Sequence, residues 1–129
     1  MKTQKEGYAV RHFTGATKRY CQTLDLKDSP ELIAAYKALH AEDGVWQETL
    51  DAIHAAGILE MEIYLLGNRL FMIVEMPAGL DWDEAMAKMG QMPKQTEWEA
   101  LTGQYQQAEE GADSAGKWHL MERIFYLYR

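Results

Sequence analysis

The feature that most limits what this chain can fold into is a link of two residues. The runs Ile58–Leu66 and Arg69–Met76 are both apolar and rich in β-formers, and only Gly67–Asn68 separates them. A Gly/Asn pair between two such runs predicts a tight antiparallel hairpin, because a parallel pair needs a crossover of a dozen or more residues. In the first run Leu59, Met61, Ile63 and Leu65 face one way, and Ile58, Glu60, Glu62, Tyr64 and Leu66 face the other. Glu60 and Glu62 are therefore either solvated or functional. A lone hairpin is marginal in water, so the rest of the chain must supply its neighbours.

Those neighbours are legible on both sides. Lys18–Leu26 alternates as a strand, with Tyr20, Gln22, Leu24 and Leu26 on one face and the polar set Arg19, Cys21, Thr23 and Asp25 on the other. Asp28–Ser29–Pro30–Glu31 is a helix start: Ser29 can cap, Pro30 suits the first helical position and Glu31 the positive end of the dipole. Leu32, Tyr36, Leu39 and His40 follow at helical spacing, Asp43–Gly44 interrupts, and Trp46, Leu50, Ile53 and His54 resume up to Gly57. Two helical segments with an irregular joint just after His40 are expected. Beyond the hairpin, Asp81–Met92 reads as a Met-rich helix broken by Pro93, and a second helix runs from Gln95 to about Gln107. Residues Glu109–Gly116 read as a loop, and Trp118–Tyr128 alternates as a closing strand.

The order β–α–β–β–α–β predicts an α+β fold of the ferredoxin-like βαββαβ type, an antiparallel sheet with helices on one face. The open sheet face must be covered or wet. A second copy packing sheet to sheet would close a dimeric α+β barrel, so a homodimer is expected. Residues 1–16, with no strand alternation, are read as an N-terminal extension, and 17–129 as a single domain.

Composition removes several function classes. The chain has 129 residues, 47% hydrophobic and 26% charged, which suits one globular domain. A net charge of −7 argues against nucleic acid as a partner, and no apolar run is long enough for a membrane span. Met1–Glu6 lacks the apolar core of a secretory signal, and the single Cys21 fits a reducing, cytoplasmic setting. No HExxH, CxxC, GxGxxG or GxxxxGK pattern occurs, so no metal or cofactor is expected.

What chemistry remains centres on Tyr36 and His40. Four residues apart on a helix, the phenol and the imidazole share a face. Imidazole is the side chain best suited to moving a proton near neutral pH, and a phenol beside it can hold a hydroxyl. An amphipathic helix can also carry such a pair at its edge with no chemical role.

In the order of its features the chain resembles the L-rhamnose mutarotase family, small cytoplasmic ferredoxin-like dimers that interconvert sugar anomers. The resemblance rests on KRYCQTLDL at Lys18–Leu26, the Tyr36-x-x-x-His40 pair with Trp46-x-Glu48 beyond it, and EIYLLGNRLFMIVEM at Glu62–Met76. Trp98 after Met92–Pro93 and the closing LMERIFYL at Leu120–Leu127 complete it. It implies that His40 is the proton donor, that Tyr36 contacts the sugar, and that Trp98 stacks on it. Two further substrate-binding candidates come from positions where this chain departs from the pattern. Met61 stands where some members have a substrate-contacting Tyr, and Glu99 where some have a second Trp. The segment between His40 and Trp46 is also longer than in the bacterial rhamnose enzyme. The implied activity is an aldose mutarotase acting on a 6-deoxy-L-sugar, L-rhamnose or L-fucose. Mutarotation needs one positioned acid/base group and no cofactor. A Trp face suits the CH face of a pyranose, and Glu62, Glu99 and Arg123 are possible polar partners. Trp46, Trp82, Trp118 and the Met residues are assigned to packing. Two alternatives share the fold: a cofactor-less or heme-dependent dimeric monooxygenase, and a non-catalytic small-ligand-binding module.

Overall fold

The computed structural model describes residues 4–108 and 114–128. Its strands are β1 (Thr17–Asp25), β2 (Glu60–Leu66), β3 (Arg69–Pro77) and β4 (His119–Leu120). Its helices are α1 (Pro30–Leu39), α2 (Gln47–Ala55), α3 (Trp82–Gly90), α4 (Gln95–Gly103) and the single turn α5 (Ser114–Lys117). The sheet order is β2-β3-β1-β4 with every pair antiparallel, which is the expected α+β, ferredoxin-like arrangement.

The hairpin forms in the register its link dictates. Leu66 pairs with Arg69, and Gly67 takes φ 62°, open to glycine at no steric cost. Met61, Ile63 and Leu65 then lie opposite Val74, Met72 and Leu70 on the helix-covered face. Leu24, Leu26, Leu70, Val74 and Met76 are buried there. Burying each of these side chains contributes about 1.5–3 kcal/mol. On the opposite face Tyr64, Phe71 and Ile73 are only partly buried among Glu60, Glu62, Glu75, Arg19 and Thr23, a mixed polar and apolar surface. Tyr8, from the segment before β1, meets the Tyr64 ring edge-on at 5.7 Å.

Local chemistry starts and stops the helices. The Leu32 N–H donates to Ser29 Oγ at the head of α1, and the Glu84 N–H to Asp81 Oδ2 at the head of α3. Each such cap is worth about 1 kcal/mol. Gly57, at φ 91°, turns the chain out of α2. The joint between α1 and α2 falls where Asp43–Gly44 foretold it, and the structure gives Gly44 a specific task. A Cβ there would sit 2.1 Å from the Ala38 carbonyl oxygen, so only glycine lets the joint fold back on the end of α1.

Four expectations require correction. The closing strand pairs over only His119–Leu120, opposite Thr23 and Gln22. The Met121 N–H still reaches the Cys21 carbonyl, but residues 122–128 run on with no strand beside them among the described residues. Alternation marks a segment suited to a half-buried ladder and does not supply the partner. The second helix of the late pair ends at Gly103 rather than near Gln107, because residues 105–107 bond to the end of β1 instead. The Lys27 N–H donates to the Tyr105 carbonyl and the Gln107 N–H to the Asp25 carbonyl. Of the expected loop Glu109–Gly116, residues 109–113 lie outside the described residues, and the remainder begins the helical turn α5. Ile58 also leaves the alternation assigned to it: it precedes β2 and is buried.

Candidate active site

Between the helices and the inner sheet face lies a cavity of about 400 Å³. That is within the range of small-ligand pockets. Tyr36, His40, Met61, Trp98 and Glu99, distant in sequence, all line it.

α1 delivers the first two. Tyr36 is 4% exposed and its hydroxyl accepts a bond from Gln106 Nε2 at 3.2 Å. Burial pushes its pKa up to about 12, so the phenol stays protonated at any physiological pH. His40, one turn later at the end of the helix, stacks its ring 4.4 Å from the Tyr36 ring. Its Nδ1 lies 2.8 Å from the Tyr36 carbonyl oxygen. A carbonyl can only accept, so Nδ1 carries the proton and neutral His40 keeps its lone pair on Nε2. Burial lowers the His40 pKa, and the bond to Tyr36 offsets this only in part. The ring is therefore neutral at pH 7, with Nε2 able to take a proton.

α4 supplies Trp98, 7% exposed, between two other rings. Its indole meets His40 edge-on at 5.5 Å and Trp46 at 5.2 Å. Trp46 is thus a wall behind Trp98 rather than part of a helical stripe, because it caps α2 from outside. Met61, Met72, Met86 and Met89 form much of the apolar wall.

Sequence reasoning missed the polar furniture. Gln22, Thr49, Gln95, Thr102, Gln106 and Lys117 are the buried polar or charged residues among those described, and every one lines this cavity. Three of their atoms have no hydrogen-bond partner among the described residues: Thr49 Oγ1, Gln95 Oε1 and Gln106 Oε1. An unsatisfied buried polar atom costs about 1–3 kcal/mol, so natural cores rarely hold several together. Lys117 donates to the Glu99 backbone carbonyl at 2.8 Å, which ties α5 to α4. Trp118, assigned to packing, is part of the core and also lines the cavity. No sequence signal marks these residues. They come from β1, α2, α4, the bridge after α4 and α5, and only the fold gathers them.

Two proposed polar partners lie elsewhere. Glu62 sits on the opposite sheet face, where it accepts from the Tyr64 hydroxyl. Arg123 lies beyond β4 and packs its guanidinium over the Tyr126 ring. Among the described residues no three His, Cys, Asp or Glu side chains gather as a metal-ligand set.

The family profile described as L-rhamnose mutarotase matches residues 19–127. The chain belongs to that family. Its members are isomerases that interconvert the anomers of L-sugars. An L-fucose mutarotase of Xanthomonas campestris pv. campestris is 39% identical over 112 residues, 85% of this chain and 88% of that one. A UPF0734 protein of Dictyostelium discoideum is 41% identical over 91 residues, 70% of this chain and 71% of its own. Among solved structures, an L-rhamnose mutarotase from Formosa agariphila superposes with a TM-score of 0.60 at 18% identity, covering 85% of this chain and 98% of the other. That likeness bears on the fold of this mutarotase-family chain.

Proposed function

We propose that this member of the mutarotase family interconverts the α and β anomers of a 6-deoxy-L-sugar, L-rhamnose or L-fucose, with His40 as the general acid/base. The observation that carries the reading is the fixed tautomer of His40, whose ring lines a cavity that holds every buried polar residue described. Nε2 takes the proton from the anomeric hydroxyl as the C1–O5 bond breaks and the carbonyl forms. The imidazolium returns the proton to O5, giving the open-chain aldehyde. Rotation about C1–C2 and the reverse steps close the ring on the other face. A positioned acid/base contributes roughly 10²–10⁴-fold.

In this reading Trp98 stacks on the CH face of the pyranose, and Tyr36, Met61 and Glu99 complete the contacts. The methionine wall accepts the 6-methyl group, a flexible apolar surface for a small apolar substituent. Residues 17–129 act as the single mutarotase domain, with 1–16 as an extension, in the cytoplasm that the lone Cys21 suits. The working unit is a homodimer. In support, Ile124, Phe125, Leu127 and Tyr128 are largely exposed beside a β1 edge that β4 covers at only two positions.

The test is NMR magnetisation exchange between the anomeric protons of L-rhamnose and of L-fucose, with native protein, His40→Ala and Tyr36→Phe. Exchange accelerated by the native protein and abolished in folded His40→Ala is the expected result. Buffer-rate exchange with both sugars, or full activity in His40→Ala, would overturn the reading and bring forward the oxygenase and binding-module alternatives.

A further inference from the structure

We propose that Gln95 is a specificity-determining residue of this site, its amide oxygen accepting a hydrogen bond from a hydroxyl of the bound sugar. The inference rests on the mutarotase reading above and adds a recognition residue to it. Gln95 opens α4, lines the cavity and is 4% exposed. Its Nε2 donates to the Glu99 carboxylate at 3.0 Å. That bond sets the NH₂ end of the amide against Glu99 and turns the amide oxygen away from it. Oε1 is left as an acceptor with no donor among the described residues.

A second amide of the cavity lining is arranged in a similar way. Gln106 donates its Nε2 to the Tyr36 hydroxyl and leaves its own Oε1 without a donor. Two buried carbonyl oxygens lining one cavity favour a ligand that brings protons to them. A neutral polyhydroxylated ring does so, whereas the oxygens of a carboxylate or phosphate bring no proton to these two atoms. Sites that bind a hydroxyl through buried polar groups discriminate strongly against analogues lacking it. Glu99, in the adjacent turn of α4, is then a positioning residue for the amide as well as a wall of the cavity.

The test combines titration calorimetry of L-rhamnose, L-fucose and their single-deoxy analogues with the side-chain amide signals of Gln95 in ¹⁵N-labelled native protein. Gln95→Met should weaken binding of the preferred sugar about tenfold, the loss of one hydrogen bond. For the one analogue lacking the recognised hydroxyl, native protein and Gln95→Met should bind equally. The Gln95 NH₂ signals of the native protein should move as the sugar saturates. Equal affinity of native protein and Gln95→Met for every sugar, or NH₂ signals unmoved at saturation, overturns the role of Gln95. The mutarotase reading would then still stand on anomeric exchange by the native protein. Neither binding nor exchange with any sugar overturns both. If Gln95→Met fails to fold, the native amide signals decide alone.

Discussion

The cavity and the C-terminal arm treat the same kinds of side chain in opposite ways. In the cavity, amides, two threonine hydroxyls and a lysine are buried against Trp98, Trp118 and four methionines. On the arm, Ile124 is 89% exposed and Phe125 is 65% exposed, beyond the last ladder bond of β4. Polar groups pushed inside and apolar groups left outside are both costly, and both are informative. The first marks a place shaped for a polar ligand; the second is the surface on which the proposed homodimer rests. The candidate catalytic groups come from elements of one chain, whereas among the described residues no strand pairs with the arm beyond β4.

The largest effect that would separate the two regions is on rate. His40→Ala should lower the acceleration of anomeric exchange by roughly 10²–10⁴-fold, with the sedimentation coefficient unchanged. A parallel loss of assembly would break the contrast. The converse change is Ile124→Asp with Phe125→Asp, which should shift sedimentation from dimer towards monomer at micromolar concentration. Exchange per chain should stay within about threefold if the site is complete in one chain, since such charges act on assembly through the desolvation of an interface. A native protein that sediments as a monomer would remove the dimer from the proposal altogether.

Gly44→Ala tests the joint that carries His40. The added Cβ meets the Ala38 carbonyl oxygen at 2.1 Å. A clash with backbone should cost about 1–3 kcal/mol and lower Tm by roughly 5–10 °C. An unchanged melting curve would show that the joint tolerates a side chain. The smallest effect is on pH. Because burial lowers the His40 pKa, exchange should fall on acidification with a midpoint below 6.5, as Nε2 takes a proton and loses its lone pair. Stability has the same sign: the unfolded chain binds the proton first, so stability falls as pH drops from 6.5 through the folded value and is flat above. A midpoint above 6.5 in the pH–rate profile would contradict a buried neutral base.

Local features were legible in the sequence. Gly67–Asn68 sets the hairpin, Ser29–Pro30 starts α1, Asp43–Gly44 marks the joint, and the i, i+4 spacing puts Tyr36 beside His40; these depend on neighbours a few residues away. The polar lining was not legible, because Thr49, Gln95 and Gln106 read as ordinary helix or loop residues until three separate elements bring them together. Lys117 illustrates the point: a lysine before a tryptophan reads as solvated, yet contact with the Glu99 carbonyl buries it. The closing strand failed for the opposite reason. Its alternation is real, but a strand needs a partner, and the sequence does not say whether the partner is the same molecule.

The bond from His40 Nδ1 to the Tyr36 carbonyl leaves the ring with a single working nitrogen. Whatever enters at Nε2 must leave from Nε2, so the imidazole is restored without a flip and without help from solvent on its far side. The tether comes from its own helix, one turn back, so movements of the opposite wall change what the nitrogen reaches but not which nitrogen it is. In the proposed mechanism such a base would end each turnover as it began, whichever anomer departs, which suits a reversible reaction whose substrate and product differ at one carbon.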